Sequence, residues 1–396
     1  MTRSQYKNAA EAAALYWEDR ITDNATVNIH LYMPNASNRP ANVLGGALPG
    51  FVNNINYSDF RNALTNDRSS SYDYTAVNNL PNYGSSSWIA YFENTALTSN
   101  KINLTRANAK ALGLIHKHHN DLDGVIVMSD LSNSSHNWKA NRTYSVGSSN
   151  FDYTSVLIHE IGHILGFVSA VDSIDASNIN DHQRKLNYTT LFNLFTMSHR
   201  TQNKSIKTSI TYGEDLFFSI DGGQTNLGYL STGQDTNLGY FGRGDGWQAS
   251  HWKHNINAIL NPGLSTGARR DAIARDLKVL DVLGWDIDYN PDWSTSQIVS
   301  RGKTNASNLG NTDNNYAIEK MLNQSRWGAG SGSSTFHQGI DLADFLVQEG
   351  LFQMGGSTLW SHMPVEAASV PEPSSMMGLV GFGLLGLGLR RKRTSN

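Results

Sequence analysis

Two histidines and a glutamate in residues 155–167 have the types and spacing of a metal-binding site. The segment reads Ser-Val-Leu-Ile-His-Glu-Ile-Gly-His-Ile-Leu-Gly-Phe and contains the pattern H-E-x-x-H. A helix turns about 100° per residue, so His159 and His163 lie on one face and can bind the same ion. Glu160 lies beside them and can hold and deprotonate a metal-bound water. The pattern predicts a zinc centre with Glu160 as general base.

The helix that carries this pattern must be held in place. Its other residues are largely Val, Leu and Ile, which predicts a buried helix with one polar edge. Buried imidazoles are costly unless they have partners, and a zinc ion would satisfy both histidines. Asp152, or Asn150 just before it, is the predicted N-cap. Gly166 is the predicted stop or bend at the other end.

The composition narrows the classes of function. The chain has 396 residues, enough for two domains or for one large domain with appendages. Its net charge is -3 and only 16% of its residues are charged, so no broad basic surface indicates a nucleic-acid partner. The chain has no cysteine, which excludes disulfides, thiol nucleophiles and cysteine-ligated zinc. Any metal must be bound by His, Asp or Glu.

Hydrophobic periodicity predicts an α+β domain around the metal-binding helix. Alternating polar and apolar residues predict a half-buried strand over 27–33, and an apolar run predicts a central strand over 124–129. Helical spacing predicts helices over 4–21, 105–119 and 271–283. We therefore expect a mixed twisted sheet, a buried active-site helix and a C-terminal helical subdomain.

The third metal ligand cannot be chosen from spacing alone. A catalytic zinc normally has three protein ligands and one open position for water. Ser169 lies at the metzincin spacing but is a poor zinc ligand, which leaves Asp172, His251 and His254 as candidates. A cluster of three further histidines, at 116, 118 and 119, is interpreted as a solvated helix end because its spacing does not place them on one face.

Several motifs together resemble one protease family. These are H-E-x-x-H-x-x-G-F over 159–167, a long insertion, Ser250-His251-Trp252, and Ile259-Leu260-Asn261-Pro262. They resemble the leishmanolysin-like branch of the metzincins, over roughly residues 5–287. The resemblance implies a zincin fold, zinc bound by His159, His163 and His251, and Glu160 as general base. Leu260 stands where that family has methionine, and a leucine of similar volume should be tolerated.

The C-terminal residues have the order of a sorting signal. Val-Pro-Glu-Pro-Ser at 370–374 precedes an apolar run over 376–389 and the basic residues 390–393. The run would make about 21 Å of helix, which is short for a stable membrane span. This order is similar to the bacterial PEP-CTERM signal, which implies export, a transient membrane tether and cleavage by an exosortase. A permanent tail anchor is the alternative.

These motifs divide the chain into three predicted parts. Residues 1–289 form the metalloprotease domain, 290–366 an appendage or spacer, and 367–396 the sorting signal. Export requires a leader, and residues 1–5 start no apolar signal core, so we expect either that the true start lies upstream or that a leader has been removed.

Three functions fit the sequence. The first is an exported zinc metalloendopeptidase acting on peptide or protein substrates. The second is a surface or matrix protein with a structural zinc site, and a closed fourth coordination position would favour it. The third is a hydrolase of non-peptide amides, which substrate profiling would separate from the first.

Overall fold

The fold is a mixed α+β structure with several small sheets. A computed structural model describes residues 1–33, 44–172, 186–202, 204, 207–233, 244–306, 317, 320, 321, 368–369 and 385–389. A contiguous hydrophobic core runs from the first helix to residue 299. The division into three parts stays a prediction.

The described residues contain eight α-helices, two 3-10 helices and sixteen strands. The α-helices are α1 (Arg3–Glu18), α2 (Tyr57–Asp67), α3 (Ser71–Asn78), α4 (Arg106–Ala111), α5 (Tyr153–Ile164), α6 (His199–Gln202), α7 (Ala274–Val282) and α8 (Thr295–Ala306). The 3-10 helices are Leu186–Tyr188 and Leu191–Phe195. The strands are β1 (Ala25–Tyr32), β2 (Gly45–Pro49), β3 (Phe51–Asn56), β4 (Asn82–Tyr83), β5 (Ser87–Phe92), β6 (Thr95–Ser99), β7 (Lys101–Thr105), β8 (Gly124–Met128), β9 (Asn137–Lys139), β10 (Asn150–Asp152), β11 (Thr196–Ser198), β12 (Leu216–Phe218), β13 (Gly228–Tyr229), β14 (Gly263–Leu264), β15 (Ala368–Ser369) and β16 (Leu385–Leu389).

The largest sheet is mixed, as the sequence predicts. Its strand order is β16-β1-β8-β2, with β1 parallel to β8 and β2 antiparallel to β8. All five residues of β8 are buried, which confirms the predicted central strand. Among the described strands β2 is the last on its side.

Strand β1 is more buried than its alternating pattern predicts. Asn28 and His30 lie on the face expected to be solvated, yet each is 6% exposed. The Asn28 amide donates hydrogen bonds to the carbonyls of His119 and Asp121, at 3.0 and 3.2 Å. The loop after α4 therefore covers this face, and its backbone carbonyls satisfy a polar side chain that the pattern assigns to solvent.

The predicted helix over 105–119 is wrong in length, because α4 ends at Ala111. Gly113 follows with a φ of 67°, in the left-handed region that terminates helices. The three histidines at 116, 118 and 119 are exposed as expected. They belong to the following loop rather than to a helix end.

Helix α5 lies against the sheet at unusually short range. A Cβ added to Gly124 of β8 would lie 2.6 Å from Ile164, and one added to Gly45 of β2 would lie 3.0 Å from Val156. Glycine at these two strand positions therefore permits the close approach. On another side, the Trp17 indole of α1 donates to the Ile158 carbonyl at 2.9 Å.

Both predicted ends of α5 are confirmed. The Asp152 carboxylate caps the helix by accepting a hydrogen bond from the Ser155 amide at 2.7 Å. Gly166 has a φ of 126°, and the helix ends two residues before it. A side chain at Gly166 would also meet the Asn108 amide, which donates to the Leu165 carbonyl at 2.8 Å.

The C-terminal residues are described only in part. Helix α8 packs against α1, where a Cβ on Gly302 would lie 2.8 Å from the Ala12 nitrogen. Residues 317, 320 and 321 are helical.

The predicted apolar helix over 376–389 is described only at Leu385–Leu389, which form a strand paired antiparallel with β1. The alternation of leucine and glycine has low helix propensity, which accounts for the difference. Strand β15, at the start of the sorting segment, pairs antiparallel with β14. Within the described ranges, no helix combines the length and the apolar character that crossing a membrane requires.

Candidate metal centre

The structure brings His159, His163 and His251 together. Their Nε2 atoms form a nearly equilateral triangle, with separations of 3.0 Å between His163 and His159, 3.1 Å between His159 and His251, and 3.2 Å between His163 and His251. All three side chains are buried. In the part of the chain that the structure describes, they are the group that could hold a metal ion.

Backbone carbonyls orient the three rings. The Nδ1 atom of His159 contacts the Ile259 carbonyl at 2.7 Å, and that of His163 contacts the Phe167 carbonyl at 2.7 Å. The Nδ1 atom of His251 lies 3.1 Å from the Gln248 carbonyl. A carbonyl accepts hydrogen bonds, so each Nδ1 carries the proton and each Nε2 keeps its lone pair. The three Nε2 lone pairs therefore converge on one point. Histidines that bind a metal through Nε2 have this same tautomer.

Burial keeps these imidazoles neutral. It is the main reason that the pKa of His163 falls to about 4 and that the pKa values of His159 and His251 lie well below the ordinary range. The charges of neighbouring histidines lower the pKa values of His159 and His251 further. A metal ion requires neutral imidazole, so no deprotonation step opposes binding at neutral pH.

The donor set fits a tetrahedral metal. A zinc ion with Zn–N distances of about 2.0–2.1 Å holds its nitrogen ligands roughly 3.3–3.4 Å apart. The observed Nε2 separations of 3.0–3.2 Å are within a few tenths of an ångström of that spacing. Without an ion, three converging lone pairs in a buried site would repel one another.

Glu160 is buried in the groove between α5 and β2. The residue is 1% exposed, and a Cβ on Gly45 would lie 3.2 Å from its Oε1 atom. Glycine at this position of the edge strand therefore leaves space for the carboxylate. The carboxylate shares its helix with His159 and His163, as the motif predicts.

The alternatives to His251 hold other positions. The Asp172 carboxylate accepts a hydrogen bond from the Ala249 amide at 2.7 Å, two residues before His251. His254 stacks on Trp247, with ring centroids 6.3 Å apart. Neither belongs to the triangle of imidazoles.

Ser169, which lies at the metzincin spacing, holds the segment of His251 through Ser250, the residue before that histidine. Its amide donates to the Ser250 hydroxyl at 3.0 Å, and that hydroxyl donates to the Ser169 carbonyl at 3.2 Å. The chain after α5 thus binds the segment of His251 directly. The long insertion therefore returns to the end of the metal-binding helix.

Leu260 packs against the metal-binding helix. It is fully buried, and its side chain lies 3.1 Å from the position of a Cβ on Gly162. Gly162 immediately precedes His163, so Leu260 supports α5 between the two histidines. The apolar packing role expected of this position is thus filled by leucine.

The sequence did not indicate the role of Asp276, which holds the segments of Trp252 and Ile259 in place. This buried carboxylate accepts hydrogen bonds from the Trp252 indole at 2.7 Å, the Ile259 amide at 3.2 Å and the Ile273 amide at 2.9 Å. Trp252 follows His251, and Ile259 supplies the carbonyl that orients His159. An acidic residue in the first turn of a helix is typical of a cap, so the sequence did not distinguish this role.

The comparisons identify one segment of the chain. Residues 369–393 match the PEP-CTERM protein-sorting motif, which confirms the predicted sorting signal. Neither the curated proteins nor the solved structures yielded a match. The motif indicates that exosortase processes the tail. The chain is therefore a secreted, cell-surface bacterial protein that carries an exosortase sorting signal.

Proposed function

We propose that this protein is an exported zinc-dependent metalloendopeptidase of the metzincin type, similar to the leishmanolysin-like branch. The triangle of three buried Nε2 atoms carries the proposal. His159, His163 and His251 would hold the zinc, and Glu160 would be the general base. The sorting motif supports an extracytoplasmic site of action, where proteins of the cell surface are available as substrates.

The choice of zinc rests on donor chemistry. Three neutral imidazoles in a near-equilateral triangle suit a tetrahedral ion that prefers nitrogen ligands. The metal-binding group among the described residues has three members rather than four. Three protein ligands are the usual number in catalytic zinc sites, whereas structural sites are closed by four, which favours an enzyme over a matrix protein.

Zinc, when bound, supplies a water of pKa about 7 and polarises the scissile carbonyl. Glu160 would be the general base, taking a proton from the attacking water and passing it to the leaving amine. Because the Glu160 carboxylate is buried, it is shielded from bulk solvent and from competing acids.

Metal content and proteolysis test the proposal together. The purified protein should contain about one zinc per chain and hydrolyse casein, and a chelator should abolish the activity. Glu160→Gln should retain zinc but lose activity by about 100- to 10,000-fold. A wild-type protein without zinc, or undiminished proteolysis by the variant, would refute the proposal. Zinc binding without hydrolysis of any peptide would instead favour a structural site.

A further inference from the structure

Three arginines surround the start of α5, and one of them differs from the other two. Arg142 forms an ion pair with Asp271 at 2.8 Å, and Arg269 forms one with Asp152 at 2.7 Å. Arg270 directly follows Arg269 in the sequence, yet no carboxylate of a described residue lies within ion-pair distance of its guanidinium. Its guanidinium also makes no hydrogen bond to a described residue.

The backbone of Arg270 is fixed against the metal-binding helix. Its amide donates to the Ser155 hydroxyl at 2.9 Å, and that hydroxyl donates to the Arg270 carbonyl at 3.1 Å. Arg142 Nη2 donates to the same carbonyl at 2.8 Å. Since Ser155 is on α5, one turn before His159, the segment cannot move away from the metal centre without breaking these bonds.

The guanidinium is half-buried with open donor capacity. Its Nη1 atom is buried and has no acceptor among the described residues, while the residue as a whole is partly exposed. Burial lowers the pKa of Arg270, and the charge of Asp276 partly offsets the effect. A half-buried cation without an acceptor is unfavourable, because it loses hydration without gaining a hydrogen bond. A carboxylate bound to the exposed part of the guanidinium would offset that cost.

The positive charge is also close to the metal centre. After burial and the neighbouring His163, Arg270 contributes to the lowered pKa of His159. Asp276, the carboxylate that exerts the offsetting effect, binds the Ile259 amide, and the Ile259 carbonyl orients His159. Arg270 is therefore in the electrostatic neighbourhood of the residues that would hold the metal.

We propose that Arg270 binds a carboxylate of the peptide substrate next to the scissile bond. This inference rests on the proposed metalloendopeptidase function and adds a substrate class to it. Arginine binds carboxylates through a planar fork of donors, and in a partly desolvated site such a bond is stronger than in water. The carboxylate can belong to an Asp or Glu side chain flanking the bond or to the C-terminus of a short peptide.

Matched fluorogenic peptides test this assignment. One pair differs only in Glu versus Gln beside the cleaved bond, and a second pair only in a free versus an amidated C-terminus. The wild-type protein should cleave one carboxylate-containing member about 10- to 100-fold faster in kcat/KM, and the pair that responds identifies the source. Arg270→Gln should remove that preference, so that kcat/KM for the carboxylate-containing peptide falls to that of its neutral partner. Arg61→Gln, which removes the same charge from the surface of α2, should preserve it.

A binding measurement separates the two proposals. Glu160→Gln protein, which should retain zinc without turnover, is titrated with the same peptide pairs, and Arg270→Gln is introduced in that background. The carboxylate-containing peptide should bind more tightly only when Arg270 is present. Equal kcat/KM and equal binding for both members of each pair would overturn the Arg270 assignment and leave proteolysis standing. Failure to cleave any peptide would count against the metalloendopeptidase, and equal binding would then overturn the Arg270 assignment as well.

Discussion

His251 is the residue on which the candidate metal centre depends most. His159 and His163 are adjacent because a helix places residues four apart on one face, a local effect. His251 reaches them across a separation of 88 residues from His163 in the sequence. Its segment is fixed by Asp172, Ser169 and Asp276, none of which belongs to the triangle. The His251 side chain can therefore be removed without changing the three residues that hold its segment.

We expect His251→Ala to weaken zinc binding by more than about 100-fold, because two imidazoles alone leave the ion undercoordinated. His254→Ala is the matched control, since His254 is three residues away and stacks on Trp247 outside the triangle. Zinc affinity is measured by competition with a chromogenic chelator. Equal affinities for the two variants would exclude His251 as a ligand.

Asp276 should act as a positioning residue for the same ligands. Asp276→Asn places an amide where the carboxylate now accepts N–H donors from Trp252 and Ile259. We expect zinc affinity to fall about 10- to 100-fold. The apo protein should also lose about 2 kcal/mol of unfolding free energy, since a buried donor would lose its acceptor.

Chelator competition and denaturant unfolding measure the two effects. Asp215→Asn, at an exposed aspartate that pairs with Lys253, serves as control and should change neither quantity. If Asp276→Asn lowered stability but left zinc affinity unchanged, the carboxylate would be structural only.

Local patterns predicted that His159 and His163 share one helix face and that Asp152 caps that helix, whereas tertiary contacts set the remaining features. His251 was reached through a resemblance rather than through spacing. Asp276 and Arg270 have roles that depend on which segments they meet in space, and no local pattern encodes that. Asp276 has the sequence context of an ordinary helix cap, and Arg270 that of an ordinary loop arginine.

At the scale of elements, α5 is positioned by glycines in the sheet and by a charged N-terminal cap. The strands were predicted better than the loops around them. The apolar run of β8 requires burial on both faces, whereas the length of α4 depended on the left-handed conformation of Gly113. The covered polar face of β1 could not be predicted, because the covering loop carries no hydrophobic pattern.

The Asp152 cap should contribute more than an ordinary cap. Its carboxylate is fully buried, accepts from the Ser155 amide and pairs with Arg269. Asp152→Ala would remove the cap bond and leave a guanidinium without its carboxylate, so we expect a loss of about 3 kcal/mol of unfolding free energy. Thr2→Ala, at the exposed cap of α1, should cost only about 0.5 kcal/mol. Denaturant unfolding of both variants measures the difference, and equal losses would show that the buried ion pair contributes nothing.

At the scale of the whole molecule, several elements meet at a group of carboxylates far from the metal-binding motif in sequence. Asp67 ends α2, Asp73 lies in the first turn of α3, and Asp23 precedes β1. Asp281 lies in α7 and Asp286 follows it. Burial, followed by mutual repulsion, raises the pKa of Asp67 to about 7, and Lys117 opposes this only in part. Burial also raises the pKa values of Asp23 and Asp281 to about 7.

The sign of the resulting pH dependence follows from these shifts. An aspartate whose pKa is about 7 in the folded state and about 4 in the unfolded chain binds its proton more tightly when folded. Ionisation of this aspartate therefore lowers the free energy of unfolding progressively as the pH rises from about 4 to 7. Above about pH 7 the full loss is present. The buried histidines act in the opposite sense, because their lowered pKa values reduce stability as the pH falls below about 6.5. A comparison of two proteins that differ only in one carboxylate cancels the histidine contribution.

Asp67→Asn provides that comparison. The amide keeps the shape of the side chain and cannot ionise, so the variant lacks the penalty that Asp67 imposes above pH 7. We expect its Tm to exceed that of the wild-type protein by a few degrees at pH 8 and by clearly less at pH 5, because the penalty grows between about pH 4 and 7. Asp59→Asn, at an aspartate in the first turn of the same helix, is the control and should show no such pH-dependent gain. Thermal unfolding of the metal-free proteins at both pH values measures the difference. A gain of equal size at pH 5 and pH 8 would show that Asp67 is ionised throughout and that repulsion in the folded state does not hold its proton.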